Sequence, residues 1–309
     1  MYKKSVILFG STDFTYGILK YLLIKKIKIN GIVTIKESFK ISYSQQRIQN
    51  IRFKNIEPLA LKNKIPVYYY KNDNKKLETF INSMDSKIIL LAGWFYKIQS
   101  NILKNKLCLG FHASLLPQLK GHAPLNWAII NGLKKTGVSL FRITDKIDSG
   151  EVFIKKEFKI DKSDHISDLI EKSKKASYKI IDDYFFKFVE KKNKPVKSIY
   201  SSSYGLHRNI VDSRIIWNQP SEDIHNIVRA SSKPYAGAFT FYNNKLVKIF
   251  RKKLIKNLTI FGQPGQLFVQ YEKIYVKCSD LALEILDAED RNGNDLLSFL
   301  LKKNNERFK

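Results

Sequence analysis

Two polar side chains stand out by type and position. His112 closes the apolar run Leu107–Phe111 and opens His112-Ala-Ser-Leu-Leu-Pro117. Asp148 follows a second apolar run, Val138–Ile143, and stands 36 residues after the histidine in Asp148-Ser-Gly150. A carboxylate beside an imidazole fixes its tautomer and favours its protonated form. Such a pair can move a proton for an attacking nucleophile. Between the two lie Gly121-His-Ala-Pro-Leu-Asn-Trp127 and Thr136-Gly-Val138. No Ser or Cys occupies an obvious nucleophile elbow, so the pattern favours proton transfer over a covalent intermediate. A lone histidine at a strand end more often has a buried structural role, and residue type alone leaves that open.

The elements that would position this pair read as an α/β domain. Ser5–Phe9, Gly31–Ile35, Val67–Tyr70, Ile88–Leu91, Leu107–Phe111 and Val138–Ile143 are short apolar runs. Helical patterns fall between the early ones, with Phe14, Ile18, Tyr21 and Leu22 on one face and Ile56–Lys62 as a second helix. Runs apolar on both faces and separated by helices predict a doubly wound, mainly parallel sheet covered on both sides. Ligands of such sheets bind at the carboxyl ends of the strands, where His112 falls. The turn Gly10-Ser-Thr-Asp13 supplies a helix cap but no dinucleotide fingerprint. Lys36–Asn55 reads as a long polar loop, and long loops in compact domains are often functional. A break falls near 191–203, which predicts a catalytic domain over 1–195 and a smaller β-rich domain over 205–309. In the latter a helix at Ser221–Arg229, capped by Ser221, precedes closely spaced strands that suit a small barrel-like domain.

Composition narrows the class. The chain has 309 residues, 44% of them apolar, enough for a real core. The longest apolar run, Ile88–Tyr96, is far below the roughly 20 residues of a membrane span. The amino-terminal stretch lacks an apolar segment of signal-peptide length, so a cytoplasmic protein with no membrane partner is expected. Cys108 and Cys278 have no metal-ligand spacing and sit in apolar runs, as buried thiols of a reducing compartment do. No metal is predicted. The net charge is +27, from 55 Lys and Arg against 28 Asp and Glu, but only nine of the cations are arginine. Specific phosphate recognition tends to use arginine, so most of this charge reads as a general lysine bias that welcomes anionic substrates.

The strings together resemble the 10-formyltetrahydrofolate-dependent formyltransferases, over nearly the whole chain. Leu8-Phe-Gly-Ser-Thr-Asp-Phe14 is similar to that family's opening strand and turn. His112-Ala-Ser-Leu-Leu-Pro117 is similar to its hallmark, and Asp148-Ser-Gly150 to its later acidic loop. Ile215-Ile-Trp217, Ile227-Val-Arg-Ala230 and Pro234-Tyr-Ala-Gly-Ala-Phe-Thr240 are similar to its carboxyl-terminal domain. The resemblance implies a folate-borne formyl group, attacked by an acceptor amine through a tetrahedral intermediate. It places His112 at that centre as stabiliser and proton carrier, with Asp148 orienting it. It implies a pterin site drawn largely from backbone near Leu91, Ala92 and Trp94, with Thr144 and Ile147 on the opposite wall. Trp94, Phe95 and Tyr96 can equally be a core stripe.

One position departs from the family. An asparagine normally stands two residues before the histidine, and Gly110 stands there here, with no side-chain donor for the oxyanion. Asn126 is the first candidate for a replacement donor, with His122 and backbone amides behind it. Ser114 is either a site residue or a turn stabiliser. Lys120 and Arg208 are candidate substrate contacts, each against an ordinary surface cation. The resemblance leaves two acceptors. A nucleotide-linked amino sugar is favoured, because the loop string Ser38–Gln46 has no glycine and only scattered cations, and because Ala123-Pro-Leu-Asn-Trp127 resembles the sugar-modifying branch. Initiator methionyl-tRNA is the alternative, and a folate binder that has lost catalysis the third reading. A homodimer is compatible with all three.

Overall fold

The computed structural model describes residues 5–41, 46–187 and 201–309. The chain divides into two compact units. One comprises 1–121, 136–158 and 171–204, and the other 122–135, 159–170 and 205–309. Most of the break expected at 191–203, including the boundary at 195, lies outside the described residues.

The first unit is built on a seven-stranded sheet. Its strands are β1 (Ser5–Phe9), β2 (Lys28–Thr34), β3 (Val67–Tyr69), β4 (Ile88–Leu91), β5 (Leu107–His112), β6 (Lys135–Arg142) and β7 (Val152–Lys159), in the spatial order β7-β6-β5-β4-β1-β2-β3. β1 pairs in parallel with β2 and β4, β2 with β3 and β4 with β5, whereas β5 and β6 are antiparallel. The predicted doubly wound, mainly parallel sheet is therefore present. Strand order reverses between β1 and β4, the kind of switch point at which such sheets open a crevice for ligands.

The run Ser5–Phe9 is buried on both faces because a hydrophobic cluster lies on each side of the sheet. Val6, Leu8 and Ile32 pack with Ile18, Leu19 and Leu22 of helix α1 (Asp13–Ile24). Ile7, Phe9 and Val33 pack on the other side with Ile89, Leu91 and Cys108. α1 starts at a capping box. Thr12 Oγ1 accepts from the Thr15 N–H, Thr15 Oγ1 accepts from the Thr12 N–H, and the Thr15 hydroxyl also donates to the Ala92 carbonyl. That last bond ties the start of α1 to the end of β4. Asp13, in the first turn, is bracketed by Arg52 and Lys174 at 2.8 Å each. Burial works against its charge, but the two cations hold its carboxyl below the usual range.

The second unit contains an antiparallel sheet of β8 (Ala238–Tyr242), β9 (Lys245–Ile255), β10 (Leu267–Gln270), β11 (Lys273–Lys277) and β12 (Ala282–Glu289), ordered β8-β9-β12-β11-β10. Helix α2 (Ser221–Ser231) packs on it, around Ile224, Val228, Trp217 and Ile249. Ser221 is the first helical residue, not the cap that the sequence suggests. Its N–H and hydroxyl instead bond to Asp280 at 2.7 and 3.2 Å. A shorter helix α3 (Pro124–Ile130) belongs to this unit and packs on α2. Among the described residues no helix is long and apolar enough to cross a membrane. Cys108 and Cys278 are free and buried, and burial pushes both thiols up to about 12.

Candidate active site

His112 is the last residue of β5 and only 8% exposed. Its Nε2 lies 2.7 Å from the Leu119 carbonyl oxygen. A carbonyl only accepts, so Nε2 carries a proton. Nδ1 faces Asp148 Oδ2 at 3.4 Å. That same oxygen accepts the Gly121 N–H at 2.7 Å. The structure thus brings the two expected residues together, with Nδ1 turned toward the carboxylate. A proton taken up at Nδ1 would produce an imidazolium held between a carbonyl and a carboxylate.

Three left-handed residues make this geometry. Leu119 has φ +50°, Gly121 +88° and Asp148 +44°. Side chains rarely adopt such values without support. Leu119 is supported by Ser203, whose hydroxyl accepts its N–H at 2.9 Å and whose carbonyl accepts the N–H of Lys120 at 2.9 Å. These partners escape sequence reasoning, because only a glycine announces positive φ. Gly121 was the one available signal.

Ser114 is hydrogen-bonded within its turn. Its hydroxyl donates to the Gln118 carbonyl at 2.5 Å, and its own carbonyl accepts the Ser139 hydroxyl at 2.7 Å. Lys120 Nζ lies 5.6 Å from the Tyr204 ring centre. The Thr144 hydroxyl donates to the Lys146 carbonyl at 3.1 Å, and Ile147 is 66% exposed beside Asp148. Leu91 and Ala92 are buried at the end of β4. A side chain on Gly10 would meet the Ala92 carbonyl at 2.0 Å, so the ends of β1 and β4 touch backbone to backbone. Trp94 packs edge-on against Phe9 and beside Tyr70 and Tyr96, a core role, yet its buried indole N–H has no partner. Trp94 follows β4, one of the two strands at the sheet's switch point.

Gly110 leaves no room for the missing side chain. A Cβ there would lie 2.5 Å from Ile143 Cδ1 and 3.1 Å from Phe141 Cε1, and the three nearest atoms are all side-chain carbons. Isoleucine and phenylalanine close the direction in which a family asparagine would project. That Ile143 packs over Gly110 is not legible in the sequence.

The remaining candidates lie in the second unit. Asn126 is buried on α3, and its Nδ2 donates to the Ala230 carbonyl of α2 at 2.8 Å. It ties two helices together, so one of its two amide hydrogens is already committed. Arg208 stacks 5.8 Å from the Trp127 ring and donates through Nη2 to the Asp212 carbonyl and to Ser213 and Ser231. Burial lowers its pKa, and its Nε–H is unpartnered. Among the described residues no group of three or more His, Cys, Asp or Glu could hold a metal.

Comparison with known proteins gives two family matches. A formyl transferase model matches residues 3–183, and a formyl transferase carboxyl-terminal domain model matches 211–300. The chain is 31% identical over 295 residues to the bifunctional polymyxin resistance protein ArnA of Wigglesworthia glossinidia brevipalpis, covering 94% of this chain but only 44% of that protein. It is 26% identical over 303 residues to the methionyl-tRNA formyltransferase of Caldanaerobacter subterraneus subsp. tengcongensis, covering 94% of each. In fold it is similar to an N-formyltransferase of Helicobacter canadensis solved with folinic acid and dTDP-3-aminofucose, with a TM-score of 0.67, 19% identity, and coverage of 91% and 98%.

Proposed function

The chain belongs to the formyl transferase family, and from that premise we propose that it moves the formyl group of 10-formyltetrahydrofolate to the primary amine of a nucleotide-linked amino sugar. The observation that carries the chemistry is the His112–Asp148 pair at the carboxyl edge of β5. The acceptor amine attacks the formyl carbon, and a C–N bond forms to give a tetrahedral intermediate. His112 takes the amine's proton at Nδ1, and Asp148 stabilises the imidazolium. Collapse breaks the bond to the folate nitrogen, which receives a proton. The folate supplies the formyl group; Leu91, Ala92, Trp94, Thr144 and Ile147 would hold its pterin. No metal takes part in these steps. Without a side chain at Gly110, the oxyanion falls to His112 and to backbone N–H groups, with the second amide hydrogen of Asn126 as a further candidate.

Three features favour the amino-sugar acceptor. The relative with 31% identity is a polymyxin resistance protein, and the fold neighbour was solved with a dTDP-amino sugar. The loop after β2 lines an open pocket of about 590 Å³, where Phe53 and Tyr69 offer rings for a base and Arg47 and Lys36 offer charge for phosphate beside the carboxylates of Glu37 and Glu57. Ser114, Lys120 and Arg208 remain candidate substrate contacts, with Ser114 acting through the turn it fixes. Initiator methionyl-tRNA is the second reading, favoured by the +27 charge and by full-length tRNA formyltransferase relatives. Acceptor competition at physiological salt separates them, since a tRNA contact weakens steeply with salt. Efficient formylation of charged initiator tRNA alongside inert amino-sugar nucleotides would overturn the sugar reading.

A further inference from the structure

We propose that the second unit carries a buried oxyanion site, formed by Arg229, Lys252 and His225, that takes a phosphate-type dianion. The site is separate from the formyl-transfer residues, and its test stands apart from that reading.

Glu222, His225 and Arg229 are three and seven residues apart and share one face of α2. Lys252 comes from β9, the strand on which α2 packs. A lysine in the middle of a strand ordinarily turns to solvent. Here the pairing of β9 with β12 shifts register on both sides of Arg251. Such a bulge re-aims the side chains beyond it. Phe250 and Lys252 are therefore both buried, with Lys252 only 6% exposed, while Arg251 points outward.

Three buried nitrogens of this cluster have no partner: Arg229 Nε, Lys252 Nζ and His225 Nδ1. Arg229 is otherwise engaged through both of its Nη atoms. Its Nη1 donates to the carbonyls of Asp164 and Asp161 at 2.8 and 3.2 Å, and its Nη2 to Asn226 Oδ1 at 2.6 Å. His225 Nε2 donates to the Lys162 carbonyl at 3.3 Å. That bond fixes the proton on Nε2 and leaves Nδ1 as a bare acceptor. Buried polar groups are ordinarily paired, and three unpaired in one cluster call for a ligand.

The charges of Glu222 and Asp164 reach Arg229, and that of Glu222 reaches Lys252, but no acid hydrogen-bonds the three nitrogens. Asp164 Oδ2 accepts the Asp161 N–H at 2.7 Å, Asp168 Oδ2 accepts the His165 N–H at 2.8 Å, and Glu222 is half-buried. His165 and His225 lie within the field of Lys252 and Arg229, and Lys252 within that of Arg229 and Glu222. Burial, followed by the Arg229 charge, lowers Lys252 to about 7, and burial, followed by the Lys252 charge, lowers His225 to about 3 and His165 to about 4. His165 and His225 are half-buried, so the cluster reaches the surface on their side. Hydrogen phosphate matches the three atoms. Its oxygens accept from Arg229 Nε–H and from the Lys252 ammonium, and its one O–H donates to His225 Nδ1. Because Lys252 must be charged for this, the anion should bring a proton with it.

Titration calorimetry on the full chain, with inorganic phosphate as the probe at matched ionic strength, tests the proposal. One saturable site is expected. Above pH 8, where the phosphate stays a dianion, affinity should fall about tenfold per pH unit as Lys252 loses its proton. Buffers of different ionisation heat should report about one proton taken up per phosphate at pH 8. Lys252→Met should weaken binding at least tenfold while leaving the kcat and KM of formyl transfer unchanged. Lys252→Gln repeats the test if the methionine variant folds poorly. Methyl phosphate distinguishes the sources: competition identifies a phosphate ester as an allowed ligand, and exclusion identifies the inorganic ion. The proposal fails if no saturable heat is seen, if the lysine variants bind as the wild type does, or if no proton accompanies binding.

Discussion

Restoring the family asparagine at Gly110 should fail alone and succeed only with a second change. The built Cβ lies 2.5 Å from Ile143 Cδ1, whereas carbon atoms in contact prefer about 3.5–4.0 Å. The obstruction must therefore move by about 1.0–1.5 Å. Overpacking of this kind costs about 1–3 kcal/mol, and the rest of the asparagine still needs space beyond the Cβ. Gly110→Asn should thus lower the melting temperature and leave formyl transfer unimproved. Ile143→Val removes Cδ1, the atom in the way, at a cost of about 0.5–1.5 kcal/mol by itself. In the double variant the two changes should compensate, with a coupling of about 0.5–3 kcal/mol. The restored donor should raise kcat by about 10²–10³, the scale of one oxyanion hydrogen bond. Thermal melting of all four proteins and steady-state formyl transfer make the cycle. If Gly110→Asn is as stable as the wild type and the double variant is no faster, both the packing argument and the missing-donor argument are wrong.

Other outcomes follow from the same geometry. His112→Ala and Asp148→Asn should each slow formyl transfer at least about 100-fold with little change in folate binding, and near-normal turnover in either would remove it from the chemistry. Asn126→Ala should act on stability, lowering it by about 1–3 kcal/mol as the buried Ala230 carbonyl loses its donor; a large kcat loss at unchanged stability would instead return Asn126 to the oxyanion. His165 and His225 titrate at about 4 and 3 when folded, below the ordinary 6.5, so the unfolded chain takes up protons first on acidification. Stability should fall as pH drops from 6.5 toward 3, and a melting temperature flat across that range would contradict their burial. Lys252, at about 7 against 10.5, works in the same direction at higher pH. Stability should rise by about 1.4 kcal/mol per pH unit between 7 and 10, a slope that Lys252→Met should abolish.

The parts of this molecule that sequence reveals are those governed by local pattern. Ser5–Phe9 and Ile88–Leu91 coincide with β1 and β4, because strands buried on both faces give unbroken apolar runs. His112 and Asp148 are findable because each ends such a run. What sequence hides depends on distant partners or on single torsions. Leu119 carries the carbonyl that sets the histidine tautomer, yet nothing in a leucine announces a φ of +50°. Ile143 fills the space above Gly110, a complementarity that exists only after β5 and β6 pair. Lys252 is indistinguishable in composition from the other lysines until the bulge in β9 turns it inward. The helical stretch Ile166–Asp182 was not singled out either, its apolar stripe diluted by lysines.

The assembly of the second unit from three separated stretches of chain sets the order in which it can form. α3 carries Asn126, and its partner carbonyl on Ala230 lies 104 residues later. At about 5–20 residues per second, a chain under synthesis leaves α3 waiting roughly 5–20 s for α2 to emerge. The Asp161 and Asp164 carbonyls wait likewise for the Arg229 guanidinium. Throughout that interval the helix that carries Leu125, Ala128 and Ile129 lacks α2 to pack on. A fragment that begins at Gly205 never receives them: it holds α2 without the helix and carbonyls that α2 is built to meet. The second unit is thus a product of three separated stretches, and its folding is committed only once the stretch that carries α2 has emerged.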